Sequence, residues 1–178
     1  QNSLARFGYE GNAGLDDAIA ATARARVEAC RQRRSQGWQM GTTCFGERYL
    51  GAAHGLSGVM AVLHVVGCKG LLDARDADRL EACTAQLVHL FLSAETKNLP
   101  VTLDKESDDL VHWCHGAAGI PELVRNAACH ARVRAPDADL DVLEAAARRA
   151  ADLIWERGLR LKGAGLCHGV AGNAYAFL

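Results

Sequence analysis

Aromatic side chains make up only 6% of the 178 residues, and neither sign of charge prevails, since 20 Lys and Arg against 21 Asp and Glu leave a formal net charge of −1. Without a basic surplus there is no electrostatic footprint for a phosphate backbone, and without aromatics there is no stacking platform for single strands, so nucleic acid is not an expected partner. A membrane-spanning run is also missing. The longest apolar stretch, Gly55 to Gly67, is broken by Ser57 and His64 and falls short of the ~20 residues that cross a bilayer. No signal-peptide pattern opens the chain, and no run of alternating residues points to strands. What is present, 49% hydrophobic and 23% charged residues, suits an ordinary globular domain with a core. Seven cysteines are an odd number, and Cys30, Cys83 and Cys129 fall inside helical patterns where a small buried hydrophobe fits. A secreted disulfide framework is therefore not expected, and a reducing, cytoplasmic compartment is. The chain begins at Gln1 and stops at Leu178 inside an apolar pattern, which leads us to expect a piece of a longer protein.

The chain repeats itself. Gly51 to Val59 (GAAHGLSGV), His112 to Ile120 (HWCHGAAGI) and Gly165 to Asn173 (GLCHGVAGN) share H-G-x-x-G, with His54, His115 and His168 spaced 61 and 53 residues apart. Near-regular spacing of that length marks a repeat architecture. Between the motifs lie amphipathic helical patterns: Leu15, Ile19, Ala23, Val27 and Cys30; then Leu80, Leu87, Val88 and Phe91; then Leu140, Leu143, Ala147, Ala150 and Ile154. Asp16, Asp76 and Asp139 place carboxylates near the N-terminal ends, and Gly37 and Gly158 follow the C-terminal ends. The segments after each motif, such as Val59 to Val66, are small and apolar and are expected to be buried inner helices. Thr96 to Asp109, with Pro100 and several charges, reads as a long loop. Outer helices alternating with inner ones predict an all-α, α/α-barrel arrangement in which the three motif loops meet at one end.

The chemistry lies in those loops. Glycine after each histidine, and again three positions on, suits tight turns and close packing, and that is the role expected of Gly55, Gly58, Gly116, Gly119, Gly169 and Gly172. Cys114-His115 and Cys167-His168 offer soft and borderline ligands that suit Zn²⁺. Four of these side chains would make a closed structural site; three would leave a position for water or a thiol. The residues by themselves leave both open. His54 reads either as a hydrogen-bonded histidine at a helix start or, facing a metal, as a general acid or base. Lys162 is either a solvated lysine or the partner of a carboxylate or phosphate. His64, His89 and His130 lie within helices and read as structural.

GAAHGLSG, WCHGAAG and LCHGVAGNAYAFL resemble the LanC-like proteins, eukaryotic relatives of the bacterial lanthionine cyclases, through nearly the whole chain. The resemblance implies an α/α-toroid, with residues 1–178 part of a single such domain and an incomplete segment of about three helix pairs. It implies one zinc held by Cys114, Cys167 and His168, with His115 not a ligand, His54 as acid/base and Lys162 at a glutathione site. The activity implied is zinc-dependent addition of a thiol, glutathione in the eukaryotic branch, to dehydroalanine or dehydrobutyrine in peptides or proteins. A segment by itself is expected to be a poor enzyme. Two other readings stand beside this one: a glutathione- or partner-binding zinc protein without catalysis, and a purely structural helical scaffold.

Overall fold

The computed structural model describes residues 13–32, 41–105, 109–159 and 161–178. Its regular elements are helices: α1 (Ala13–Gln32), α2 (Leu56–Cys68), α3 (Ala74–Ser93), a 3₁₀ turn (Ala117–Gly119), α4 (Ile120–Arg134), α5 (Asp141–Arg157) and α6 (Val170–Tyr175). Among the described residues there is no strand, and β pairing is confined to isolated bridges such as Tyr49 with Thr102. The fold is all-α. Helices α1, α3 and α5 alternate with α2, α4 and α6; α2 and α6 begin within an H-G-x-x-G motif and α4 directly after one.

The amphipathic stripes decide which face is covered. On α3, Ala77, Leu80, Cys83, Thr84, Leu87, Val88 and Phe91 are buried, and the Asp73 carboxylate caps the helix by accepting from the Asp76 backbone N–H at 2.8 Å. On α5, Ala146, Ala150, Leu153 and Ile154 are buried, while Leu143 and Ala147 pack at the edge of the core. Gly158 follows α5 as expected; Gly37 lies outside the described residues. The α1 stripe buries Ala23, Val27 and Cys30 but leaves Leu15 exposed, on the wall of a groove of about 730 Å³ between α1 and α2.

Helices α2 and α4 pack along each other, with α3 against α2 and α5 against both α3 and α4. Met60, Leu63, Leu80, Leu87, Phe91, Ile120 and Leu123 fill the space between them, each contributing ~1.5–3 kcal/mol through burial. The inner helices are not apolar all round: Val62 and Val65 on α2 are exposed, and α4 carries Glu122, Arg125, Arg132 and Arg134. Each has one face against its neighbours and another that no described residue covers. Cys30 and Cys83 are buried as expected, whereas Cys129 is exposed on α4.

One polar chain crosses this core. The Thr84 hydroxyl donates to the Leu80 carbonyl at 2.9 Å, so its oxygen accepts from His64 Nε2–H at 2.8 Å. His64 Nδ1 then accepts from His130 Nδ1–H at 3.0 Å. The His64 ring thus has both nitrogens bonded as a neutral imidazole, and burial, helped by His130, pushes the His64 pKa down to about 3.

Candidate metal centre

Like sequences make like turns at the first and third motifs. Gly55 N–H donates to Gly51 O at 3.1 Å and Leu56 N–H to Tyr49 O at 3.0 Å; Gly169 N–H donates to Gly165 O at 3.0 Å and Val170 N–H to Gly163 O at 3.1 Å. The second glycine of each motif is required by close passage of backbone. A Cβ at Gly58 would stand 1.8 Å from Ala52 O, and one at Gly172 would stand 1.7 Å from Leu166 O. At the middle motif Gly116 has φ +102°, a conformation open to glycine, and its missing Cβ makes room for Leu110 O.

The three loops are stitched together by their backbones. Ala53 N–H donates to Cys114 O at 3.4 Å, and Cys114 N–H donates to Cys167 O at 3.1 Å. Two buried asparagines brace the arrangement. Asn98 accepts at Oδ1 from Ala117 N–H at 2.8 Å and donates to Leu110 O at 3.0 Å. Asn173 donates to Val111 O at 2.7 Å and Gly158 O at 2.8 Å. Behind them, loop 41–50 is paired with the stretch 99–105: Leu50 N–H donates to Val101 O at 3.1 Å and Leu103 N–H to Arg48 O at 2.9 Å. Arg48 with Asp104 and Lys105 with Glu47 add ion pairs across the two segments.

This scaffold brings Cys114, Cys167 and His168 together, their ligand-type atoms all within 4.8 Å of one another. They form the only group of three or more potential metal ligands among the described residues. Cys114 is buried, while Cys167 and His168 are open to solvent. Burial first, and then its hydrogen bond with the Cys167 thiol, push the Cys114 pKa up to about 11. The donor set fits a tetrahedral zinc ion: bonds of ~2.0–2.3 Å put ligand atoms ~3.5–4 Å apart, within small side-chain rotations of the spacing seen here.

His54, on the first motif loop, is exposed. Its ring lies 5.6 Å from that of His115 and 6.0 Å from that of Tyr49, with Tyr49 and His115 5.2 Å apart. Burial, and then the neighbouring His54, lower the His115 pKa, and its Nδ1 is buried without a hydrogen-bond partner among the described residues. His112 stands beside the cluster, its ring 6.2 Å from that of His168. Lys162 is exposed on the loop ahead of Cys167, and no ion pair among the described residues engages it. Sequence reasoning passed over Tyr49, Asn98 and Asn173. Only Asn173 had a local signal, as the last residue of the third motif segment.

Layered helices whose motif loops gather two thiols and an imidazole define the class: an α/α repeat protein with a potential metal site at one end of its inner helices. Residues 12–178 match the family model described as lanthionine synthetase C-like protein, and the chain belongs to that family, as a partial segment of its helical toroid. Among curated proteins it is similar to the glutathione S-transferase LANCL1 of Danio rerio, 37% identical over 136 residues that cover 75% of this chain and 31% of the relative. It is likewise similar to the LanC-like protein GCL1 of Arabidopsis thaliana, 34% identical over 134 residues, 75% of this chain and 28% of that relative. The chain thus spans less than a third of the length of these two relatives.

Proposed function

We propose that this chain carries the zinc site and the acid/base of an enzyme that adds a thiol, glutathione foremost, to dehydroalanine or dehydrobutyrine in peptides or proteins, forming a thioether. The observation that carries the reading is the meeting of Cys114, Cys167 and His168 within 4.8 Å, from two motif copies that are far apart in sequence. Glutathione enters because one relative is named a glutathione S-transferase.

Cys114, Cys167 and His168 would hold the metal, three ligands and one open position. Bound there, zinc would favour the thiolate form of a thiol in that position, and its charge, already balanced by two protein thiolates, would leave the sulfur nucleophilic. The remaining work falls to the protein. In the reaction a carbon–sulfur bond forms at the β-carbon, the carbon–carbon π bond breaks, and the electron pair becomes an enolate that takes a proton at the α-carbon. His54 is assigned that proton transfer: it is open to substrate and within ring contact of His115 and Tyr49, which limit how it can turn. Beside it, burial first and then the neighbouring His54 lower the pKa of the half-buried His115, which favours its neutral form. The Lys162 ammonium, exposed ahead of Cys167, is assigned to a carboxylate of glutathione.

The test is His54→Asn in the longest chain that folds, with a dehydroalanine peptide and glutathione followed by mass spectrometry. Thioether formation is expected to fall ~10²- to 10⁴-fold while zinc content is kept. Loss of zinc in proportion to activity would instead make His54 a ligand. Zinc and glutathione binding with no product in the parent protein would leave a binding protein rather than an enzyme.

A further inference from the structure

Away from the motif loops, the far ends of α2 and α4 hold a second pair of sulfurs. Cys68 closes α2 and is half-buried; Cys129 is exposed on α4. The two helices come close here because position 67 lacks a side chain. A Cβ on Gly67 would stand 2.4 Å from His130 Nε2, so the His130 ring occupies that space, and the 3.0 Å bond between the His64 and His130 rings fixes the register. Cys68, which follows Gly67, and Cys129, which precedes His130, are thereby brought side by side, near enough for their thiols to interact. Helix α2 has 13 residues, so this pair sits roughly 20 Å along the helix from the motif loops. It is separate from the Cys114 cluster.

We propose that Cys68 and Cys129 form a redox-active dithiol, a modification site that exchanges with small-molecule disulfides and closes into a disulfide joining α2 to α4. Cys129 is the attacking sulfur, because it is the one that solvent reaches, and Arg125 and Arg132, four residues before and three after it on the helix, attract anionic disulfides. Its thiolate attacks one sulfur of the incoming disulfide, forming a mixed disulfide and releasing one small thiol. Cys68, whose proton is retained by burial first and then by the adjacent Cys129 thiol, then gives up that proton and attacks Cys129 Sγ. This expels the second small thiol and forms the Cys68–Cys129 bond. The incoming disulfide is reduced by two electrons to two thiols, and the protein dithiol is oxidised by the same two.

Glutathione disulfide is the probe. The zinc-supplemented chain is equilibrated with glutathione and glutathione disulfide at a series of ratios, quenched with acid, alkylated, digested and mapped by mass spectrometry. The expected result is a Cys68–Cys129 linked peptide pair that grows with the oxidised fraction and disappears with excess glutathione. Cys68→Ser is expected to stop at a glutathionyl adduct on Cys129, and Cys129→Ser to leave Cys68 as a free thiol; both replacements are near-isosteric, and circular dichroism checks the fold. Recovery of both cysteines as free thiols, at a ratio that oxidises a control dithiol, would overturn the proposal. So would links spread evenly among Cys30, Cys68, Cys83 and Cys129, or a Cys68 that reacts as readily without Cys129.

Discussion

Asn173 fastens the third motif loop to the segment ahead of Cys114, its amide reaching the carbonyls of Val111 and Gly158. Replacing it with alanine would remove both bonds inside a buried site, and with each unmet buried acceptor costing ~1–3 kcal/mol, Asn173→Ala is expected to lower stability by about 2–4 kcal/mol. Urea denaturation of the two proteins measures this; a change within about 0.5 kcal/mol would show that the bonds do not brace the loop. The contrast with the neighbouring cysteines explains what was legible in the sequence at this scale. Cys114, Cys167, His168 and His54 stood out because a motif repeats around them. Asn98 and Asn173 did not, because their value arises only when loops distant in sequence meet, and no local pattern encodes that meeting.

Among the helices, the outer stripes were readable from three- and four-residue steps, and α3 buries the residues that period selects. Less readable was the inner layer. A run of small apolar residues suggested burial on every side, yet α2 exposes Val62 and Val65, since composition says how apolar a helix is and not how many neighbours it has. The α2–α3–α4 contact also contains the His64–His130–Thr84 chain, and its pH behaviour follows from burial. The folded pKa of His64 lies near 3 against an ordinary value of 6.5, and that of His130 is lowered by burial, with Glu81 opposing the shift and Arg134 adding to it. In that window the unfolded chain binds protons that the folded one refuses. The contribution is therefore complete above about pH 6.5 and is lost progressively as pH falls towards 3, on the order of a few kcal/mol. Denaturation midpoints between pH 7.5 and 4.5 should fall more steeply for the parent than for His64→Gln; equal slopes would mean the rings take up protons without cost.

At the scale of the molecule, apolar surface is uncovered on both flanks. Leu15, Val62 and Val65 are exposed on α1 and α2, Trp155, Leu159, Leu166 and Tyr175 on α5, α6 and the loop between them, and Phe177 just after α6, Trp155 at 85%. A few hundred Å² at ~25 cal/mol per Å² amounts to several kcal/mol, comparable with the net stability of a domain. The 178-residue chain alone is therefore expected to self-associate or to melt early. Sedimentation velocity across a concentration series decides it, and a monomer with a sharp, concentration-independent melt would show those surfaces to be tolerated. The all-α architecture and the convergence of the motif loops were legible because a repeat declares its own layering. Open ends were expected of a partial toroid, but which side chains they expose was not legible, since a stripe in the sequence does not say which of its residues meets a partner.

All of the functional reading rests on one metal bound by two motif copies, and zinc content per folded chain tests that most directly. After metal loading and removal of loosely bound ions, elemental analysis should find about one zinc in the parent, next to none in Cys167→Ala, and most of it retained in His115→Ala. A Cys167→Ala protein that folds and keeps its full zinc would contradict the account.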